Sequence, residues 1–117
     1  VVGGTTSLNF PRWNSAQPFP GGQQDAFLTK FRAAGNGLQY STTLGGAAGG
    51  MGFPEQATAV AVDSFGSAYI TGTTPSTNFP LSSANKAILG GPLDAFVAKF
   101  SPPGSALPYS TYLGGSR

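Results

Sequence analysis

The sequence has no cysteine and no histidine, and only 9% of its 117 residues are charged. The absence of cysteine excludes a disulfide framework and a thiolate zinc site, and thiol usage gives no information on the compartment. The absence of histidine excludes a Ser-His-Asp relay and any His acid or base. The six basic residues give a net charge of +2 and form no cluster, so we expect no nucleic-acid partner.

Long apolar runs are also missing, so we expect no insertion into a membrane. The chain begins with Val1 rather than Met and shows no signal peptide, which is typical of a processed product or a fragment. Most of its polar residues are uncharged Ser, Thr, Asn and Gln, and this composition favours a secreted or cell-surface protein.

Glycine and proline are abundant, with 18 and 10 residues. This content is typical of a turn-rich β protein or of a disordered chain. The apolar residues fall in short alternating runs, which disordered tails do not have. The composition therefore favours an all-β fold.

The chain consists of about one and two-thirds copies of a repeat whose period is 69 residues. Three segments return at this shift: 25–31 as 94–100, 40–46 as 109–115, and 9–11 as 78–80. Repeats at a fixed period indicate modules that bury their apolar faces against neighbouring copies. We therefore expect a piece of a larger stacked or closed architecture.

Alternation and turn residues predict seven strands, and one short stretch, 83–88, could form a single helical turn. The predicted strands are 1–5, 25–31, 38–44, 57–62, 68–73, 94–100 and 107–113. Four antiparallel strands per repeat are typical of a β-propeller blade. The small residues of 57–62 suit the crowded innermost strand, and the strand that ends in Gly-Gly suits the outer edge.

Several segments resemble the bacterial and archaeal β-propeller repeat family called SBBP. They are Asp94–Phe100 (DAFVAKF), Tyr109–Gly115 (YSTYLGG), Ala59–Asp63 (AVAVD), Ala68–Gly72 (AYITG) and Asn78–Pro80 (NFP). The resemblance implies a propeller fold within a large secreted or surface-associated protein, and it implies no single activity. Members of the family often carry an acidic Gly-Asp-Asp step after the Gly-Gly pair. Ala47-Ala48-Gly49 takes that place here, so we expect no cation site in this loop.

The repeat divides the chain into a partial blade of three strands at 1–46 and a complete blade of four strands at 47–117. In blade order the first unit lacks its inner strand. Seven strands cannot close a ring, so the chain is a window on a longer propeller, a subunit of a ring, or a link in a filament. The expected partners are copies of the chain or neighbouring blades, and the predicted assembly edges are Val1, Val2, Thr5, Leu107, Tyr109, Thr111 and Leu113.

Four carboxylates are the only acidic side chains. Asp25 and Asp94 occupy equivalent repeat positions, and we expect each to accept hydrogen bonds from nearby backbone N–H groups. Asp63 is expected to open a turn, and Glu55 to be a solvated loop charge. A glycosidase would need two acids that converge across blades. The sequence therefore predicts no catalytic residue, no cofactor and no metal site.

The tripeptide Arg12-Trp13-Asn14 breaks the repeat and is a candidate contact for a ligand or partner. The flat face of a loop Trp can stack on a sugar, although such a Trp more often covers its own blade. The leading functional hypothesis is a structural or interaction module that self-associates through its open edges. The alternatives are a lectin-like module that binds glycans and, less favoured, a propeller lyase or hydrolase.

Overall fold

The computed structural model describes residues 1–48 and 52–115, and in this part of the chain all regular structure is β-strand. The seven strands are β1 (Val2–Thr5), β2 (Asp25–Phe31), β3 (Leu38–Leu44), β4 (Gln56–Val62), β5 (Ala68–Thr74), β6 (Asp94–Phe100) and β7 (Tyr109–Leu113). Each strand lies within a few residues of its predicted position. The all-β fold class is thus confirmed.

The strands form two antiparallel sheets, a three-stranded sheet of order β1-β2-β3 and a four-stranded sheet of order β4-β5-β6-β7. We call the first sheet with its loops the first unit, and the second the second unit. The pairing register repeats with the sequence: Ala26 lies opposite Leu44 as Ala95 lies opposite Leu113. The strand β4 has no counterpart in the first unit, so this unit lacks the inner strand as predicted.

The predicted helical turn at 83–88 is wrong. Ser82 forms a backbone bridge with Ser110 of β7, with N···O distances of 3.0 and 2.8 Å. The Lys86 amide then donates to Thr111 Oγ1 at 2.9 Å. These bonds draw the segment along β7, so its backbone groups are satisfied by the strand rather than by a helical turn.

Each sheet has two faces because successive side chains of a strand point to opposite sides. We call the side of Phe27 and Phe96 the front face, and the side of Leu44 and Leu113 the back face. The back face of the first unit packs on the front face of the second in one apolar cluster. This cluster contains Ala26, Leu28, Tyr40, Leu44, Ala57, Ala68, Ile70, Phe79, Phe96, Ala98, Phe100 and Tyr112.

The two remaining faces lie at the ends of this stack. Leu44 on the inner back face is 1% exposed, but its repeat counterpart Leu113 is 64% exposed. Phe100 on the inner front face is fully buried, and its counterpart Phe31 is 51% exposed. Identical residues at equivalent repeat positions therefore differ in burial, according to whether a neighbouring unit covers them.

Candidate functional site

The contact between the two units contains a buried carboxylate, Glu55, directly before β4. Its side chain is fully buried, so the prediction of a solvated loop charge is wrong. The Gly46 amide of the first unit donates to both carboxylate oxygens, at 2.7 and 3.1 Å. Ser76 Oγ donates at 2.8 and 3.1 Å, and Thr74 Oγ1 at 3.3 Å. The carboxylate therefore joins the two units through hydrogen bonds.

Two further hydrogen bonds cross the contact beside Glu55. The Ala47 amide donates to Asn78 Oδ1 at 2.8 Å, and the Ala48 amide donates to Ser76 Oγ at 3.0 Å. The turn after β3 thus presents three consecutive backbone N–H groups, and the second unit supplies the acceptors. We call this arrangement of residues 45–48 with Glu55, Thr74, Ser76 and Asn78 the junction clasp.

The Gly-Gly pair in the clasp leaves room for the acceptors. A Cβ atom at Gly46 would collide with Asn78 Oδ1 and would lie 2.5 Å from Ser76 Cβ. A Cβ atom at Gly45 would collide with Asp25 Oδ1 and would lie 3.0 Å from Glu55 Oε1. Glycine at both positions is therefore a requirement of the packing as well as of the turn.

Asp25 lies on the other side of the clasp, in the first unit. Its Oδ2 accepts from the Gly21 amide at 2.6 Å and from Gln17 Nε2 at 3.3 Å, which confirms the predicted backbone role. Its Oδ1 is buried and has no hydrogen-bond partner. Gln17 Oε1 in turn accepts from the Gly45 amide at 3.0 Å. Two carboxylates from different units thus meet around one glycine pair.

Burial raises the pKa of Glu55 in the clasp and of the neighbouring Asp25. It raises the pKa of the Glu55 carboxyl to about 7, and the hydrogen bonds from Gly46 and Ser76 offset only part of this effect. The nearby charge of Asp25 also raises the Glu55 pKa. The pKa of Asp25 is raised by burial too, against the lowering effect of the Gly21 and Gly22 amides.

The second unit carries its own copy of the donor end of this arrangement, the glycine pair with its neighbouring aspartate. Asp94 Oδ2 accepts from the Gly90 amide at 2.8 Å and from Lys86 Nζ at 3.3 Å, as predicted for a strand-start Asp. Asp94 is buried, and its Oδ1 has no partner. A Cβ atom at Gly114 would collide with this oxygen, as one at Gly45 would with Asp25.

The first unit carries a copy of the acceptor end of the clasp. Thr5, Ser7 and Asn9 precede Thr74, Ser76 and Asn78 by one repeat. The Ser7 amide donates to Thr5 Oγ1 at 3.1 Å, and Ser76 donates to Thr74 in the same way at the same distance. Ser7 and Asn9 are exposed, so this half of a clasp lies open at the front face.

The acids do not form an accessible catalytic pair among the described residues. Asp25 and Glu55 converge, but both are buried under the glycine pair. Asp63 opens the β4–β5 turn as predicted: Oδ1 accepts from the Phe65 and Ser67 amides at 2.9 and 3.0 Å. In residues 1–48 and 52–115, no cluster of three or more potential metal-ligating side chains occurs.

The predicted contact tripeptide lies along the outer edge of the first unit. Trp13 forms a backbone bridge with Ser41 of β3, and its side chain is 59% exposed. The Arg12 guanidinium donates to Thr43 Oγ1 at 3.0 and 3.3 Å and to the Phe10 carbonyl at 3.2 Å. Asn14 has a positive φ of 50°, as does its counterpart Ser83 at 48°. Arg12 is thus held by the sheet, while the Trp13 side chain is largely exposed.

The predicted assembly edges differ in how open they are. In β1, the Val1 ammonium donates to the Thr29 carbonyl, and the strand has no partner on its inner side among the described residues. The outer side of β7 is partly occupied, because Ser110 and Tyr112 already bond to the Ser82 and Lys86 backbone. Of the other predicted residues, Val2 and Tyr109 are half-buried, Leu107 packs on the core, Thr111 is buried, and Thr5 and Leu113 border the open ends.

No helix in the part of the chain that the structure describes is long and apolar enough to cross a membrane.

Comparison with known proteins gives one family match. Residues 56–80 match the family model SBBP, described as a beta-propeller repeat. The matched segment covers β4, β5 and the Asn78-Phe79-Pro80 tripeptide, and it includes three clasp residues, Thr74, Ser76 and Asn78. No curated protein and no solved structure matches the chain. Residues 56–80 thus match a repeat of the SBBP beta-propeller family, and the repeated strands and shared register show that the two units of the chain have the same strand pattern.

Proposed function

We propose that the chain is a structural and interaction module, secreted or at the cell surface, that stacks face to face on further repeat units, including copies of itself. One observation carries the proposal: residues equivalent to those of the internal contact recur at both ends of the stack, and two of them are far more exposed there. Leu113 and Phe31 stand at the ends where Leu44 and Phe100 are buried. A back face and a front face that fit each other inside the chain also fit between chains.

Stacking of this kind joins unlike surfaces, head to tail. The back face of one chain meets the front face of the next, so the contact closes into a ring or continues as a filament according to the angle between units. The front face adds an apolar hollow of about 310 Å³ lined by residues that include Phe10, Phe27 and Phe31. Filling this hollow removes apolar surface from water and stabilises the assembly.

Light scattering behind a sizing column tests self-association. We expect a discrete oligomer or a ladder of larger species, and we expect Leu113→Lys to shift the population to monomer. Phe65→Lys is the matched control, because Phe65 is 83% exposed but lies in the β4–β5 turn rather than in the strands of the back face. A chain that is monomeric at all concentrations, or a Leu113→Lys variant of unchanged mass, contradicts the proposal.

A second candidate, glycan binding, is supported by the surroundings of Trp13. A polar hollow of about 280 Å³ lies between Trp13, Arg32, Gln39 and the Pro102-Pro103 turn. An indole face beside guanidinium and amide donors suits the apolar and hydroxyl sides of a sugar. A glycan array compares the parent with Trp13→Ala and with the control Phe19→Ala. Equal signals from the parent and Trp13→Ala contradict this candidate.

The low number of acids and the absence of histidine leave an enzymatic role without a candidate residue. The two acids that converge, Asp25 and Glu55, serve the contact between units in our proposal. We therefore propose that this chain has no catalytic function of its own.

A further inference from the structure

The exposed end of the second unit repeats the geometry of the junction clasp. Gly114 and Gly115 follow β7 as Gly45 and Gly46 follow β3, and Asp94 lies beside Gly114 as Asp25 lies beside Gly45. We propose that this end is a socket for a glutamate of a further repeat unit, one whose inner strand follows a glutamate as β4 follows Glu55. This inference rests on the proposed stacking of units and adds the chemistry of the partner.

The socket is open where the internal clasp is filled. A Cβ atom at Gly46 would collide with the second unit, whereas one at Gly115 would meet nothing within 4 Å among the described residues. Asp94 is 2% exposed, and its Oδ1 faces Gly114 without a hydrogen-bond partner. The equivalent Asp25 Oδ1 is also unpaired beside the filled clasp, so it is the uncovered Gly115, rather than Asp94, that distinguishes the socket from the internal clasp.

The charge at the socket favours an incoming carboxylate more than the charge at the internal clasp does. Gln17 of the first unit is replaced by its counterpart Lys86 in the second. Lys86 Nζ donates to Asp94 Oδ2 at 3.3 Å and also contacts the Gly114 carbonyl. The ammonium offsets the charge of Asp94 by direct contact, whereas Arg12 acts on Asp25 without an ion pair, so a second carboxylate meets less repulsion beside Asp94.

A second copy of this chain supplies only part of the required chemistry. Its front face offers Thr5, Ser7 and Asn9, which match the hydroxyl and amide groups of the clasp. The position that corresponds to Glu55 would fall before Val1, and Glu55 itself is held in the internal clasp. The occupant that completes the socket is therefore a unit with its own inner strand and the glutamate that precedes it.

Amide exchange in a lengthened chain tests this inference. Residues 49–117 are appended after Arg117, which preserves the 69-residue period and places a copy of Glu55 opposite Gly115. Exchange of the Gly46 and Gly115 amides is followed by NMR in the parent and in the lengthened chain. We expect Gly115 to exchange about tenfold more slowly in the lengthened chain, because a hydrogen bond to a carboxylate is among the stronger ones.

The control variants are substitutions in the same lengthened chain. Changing the appended glutamate to Ala is expected to return Gly115 to its parent rate and to leave Gly46 unchanged, and a change to Gln is expected to give an intermediate rate. Glu55→Gln is expected to accelerate Gly46 alone. The Gln variants keep the side-chain volume, so they remain informative where an Ala variant of the appended unit does not fold.

Three outcomes overturn the inference. Gly115 exchange is unchanged when the chain is lengthened; or its protection persists without the appended glutamate; or the parent alone protects Gly115 as its concentration rises, which makes a second copy the occupant. The second outcome leaves the proposed stacking intact, since units would then dock without the glutamate. Failure of the stacking itself is detected separately, as a parent chain that light scattering finds monomeric.

Discussion

The internal contact between the two units and the open ends of the chain are built from the same residues in different surroundings. Leu44 and Leu113 have the same neighbours in their own sheets, yet one is 1% exposed and the other 64%. Gly46 is enclosed by Ser76 and Asn78, while Gly115 faces open space. The difference shows that burial in this protein depends on the adjacent unit rather than on the residue or its strand.

This comparison separates two sources of stability. The strand pairs β1–β2 and β2–β3 keep the register of β5–β6 and β6–β7, so equivalent residues have equivalent pairing partners within their sheets. Contacts between sheets exist once inside the chain. Substitutions at paired positions therefore measure what a neighbour contributes, with the sheet itself as the constant.

The largest contrast is expected for the leucine pair. Leu44→Ala removes a buried side chain and leaves a cavity, so we expect it to lower the free energy of unfolding by about 4 kcal/mol. Leu113→Ala is expected to change it by less than about 0.5 kcal/mol in the monomer. Urea unfolding of both variants at low concentration measures the two effects. Equal losses would contradict the assignment of Leu44 to the contact between units.

The second largest effect is expected for the dependence of the folding stability on pH. Burial raises the pKa of Glu55 to about 7 in the folded chain, from an ordinary value of 4.5. Between these values the unfolded chain releases the proton and the folded chain retains it, so stability falls as the pH rises. The expected loss from pH 4.5 to 7 is roughly 3 kcal/mol, with little change from this group outside that range.

Urea unfolding over this pH range measures the loss. Glu55→Gln is the control, because it keeps the side-chain volume and removes the titration. The nearby acid Asp25 also has a raised pKa, so it contributes a slope of the same sign that remains in the variant. A parent and a variant with the same slope between pH 4.5 and 7 would contradict the role of Glu55.

The equivalent glycines Gly46 and Gly115 allow the same comparison between the internal contact and the open end to be made at the backbone. In Gly46→Ala, the new methyl group collides with Asn78 and Ser76, and we expect a loss of about 2 kcal/mol. Gly115→Ala has no such neighbour, and we expect almost no loss. Thermal unfolding of the two variants under the same conditions gives the difference. A Gly115→Ala loss as large as that of Gly46→Ala would mean that the turn, rather than the neighbour, requires glycine.

The smallest expected effect concerns the one polar difference beside the equivalent aspartates. Lys86→Gln gives the second unit the side chain that Gln17 supplies in the first. Lys86 is partly exposed, so losing its ion pair with Asp94 is expected to cost about 0.5 kcal/mol. Urea unfolding at low and high salt checks this, because the effect should shrink when salt screens the pair. A salt-independent loss would argue against an ion-pair origin.

The sequence predicted the seven strands, their order within each unit and the missing inner strand, because each depends on local alternation or on the repeat. It also predicted the backbone roles of Asp25, Asp94 and Asp63, which follow from their positions at strand starts and turns. The prediction failed for Glu55. Its position in a loop after Pro54 indicated exposure, and its hydrogen-bond donors lie up to 21 residues away along the chain.

One signal in the sequence could have identified Glu55. It directly precedes β4, the strand that has no counterpart among the described residues of the first unit. A residue directly before the inner strand of a repeat lies where one unit meets the previous one. The clasp nevertheless depends on the relative position of two sheets, which local alternation does not determine. The predicted helical turn at 83–88 was wrong for a related reason, because the contacts of this segment with β7 are long-range.

The backbone bridges at Trp13 and Ser82 have a consequence for the direction of growth. Each bridge places a loop along the outer strand of its unit, at Ser41 and at Ser110. A capped outer strand offers fewer free N–H and C=O groups to an incoming strand, which is how sheets resist amyloid-like extension. The chain can therefore expose apolar faces for stacking while its outer edges resist uncontrolled cross-β aggregation.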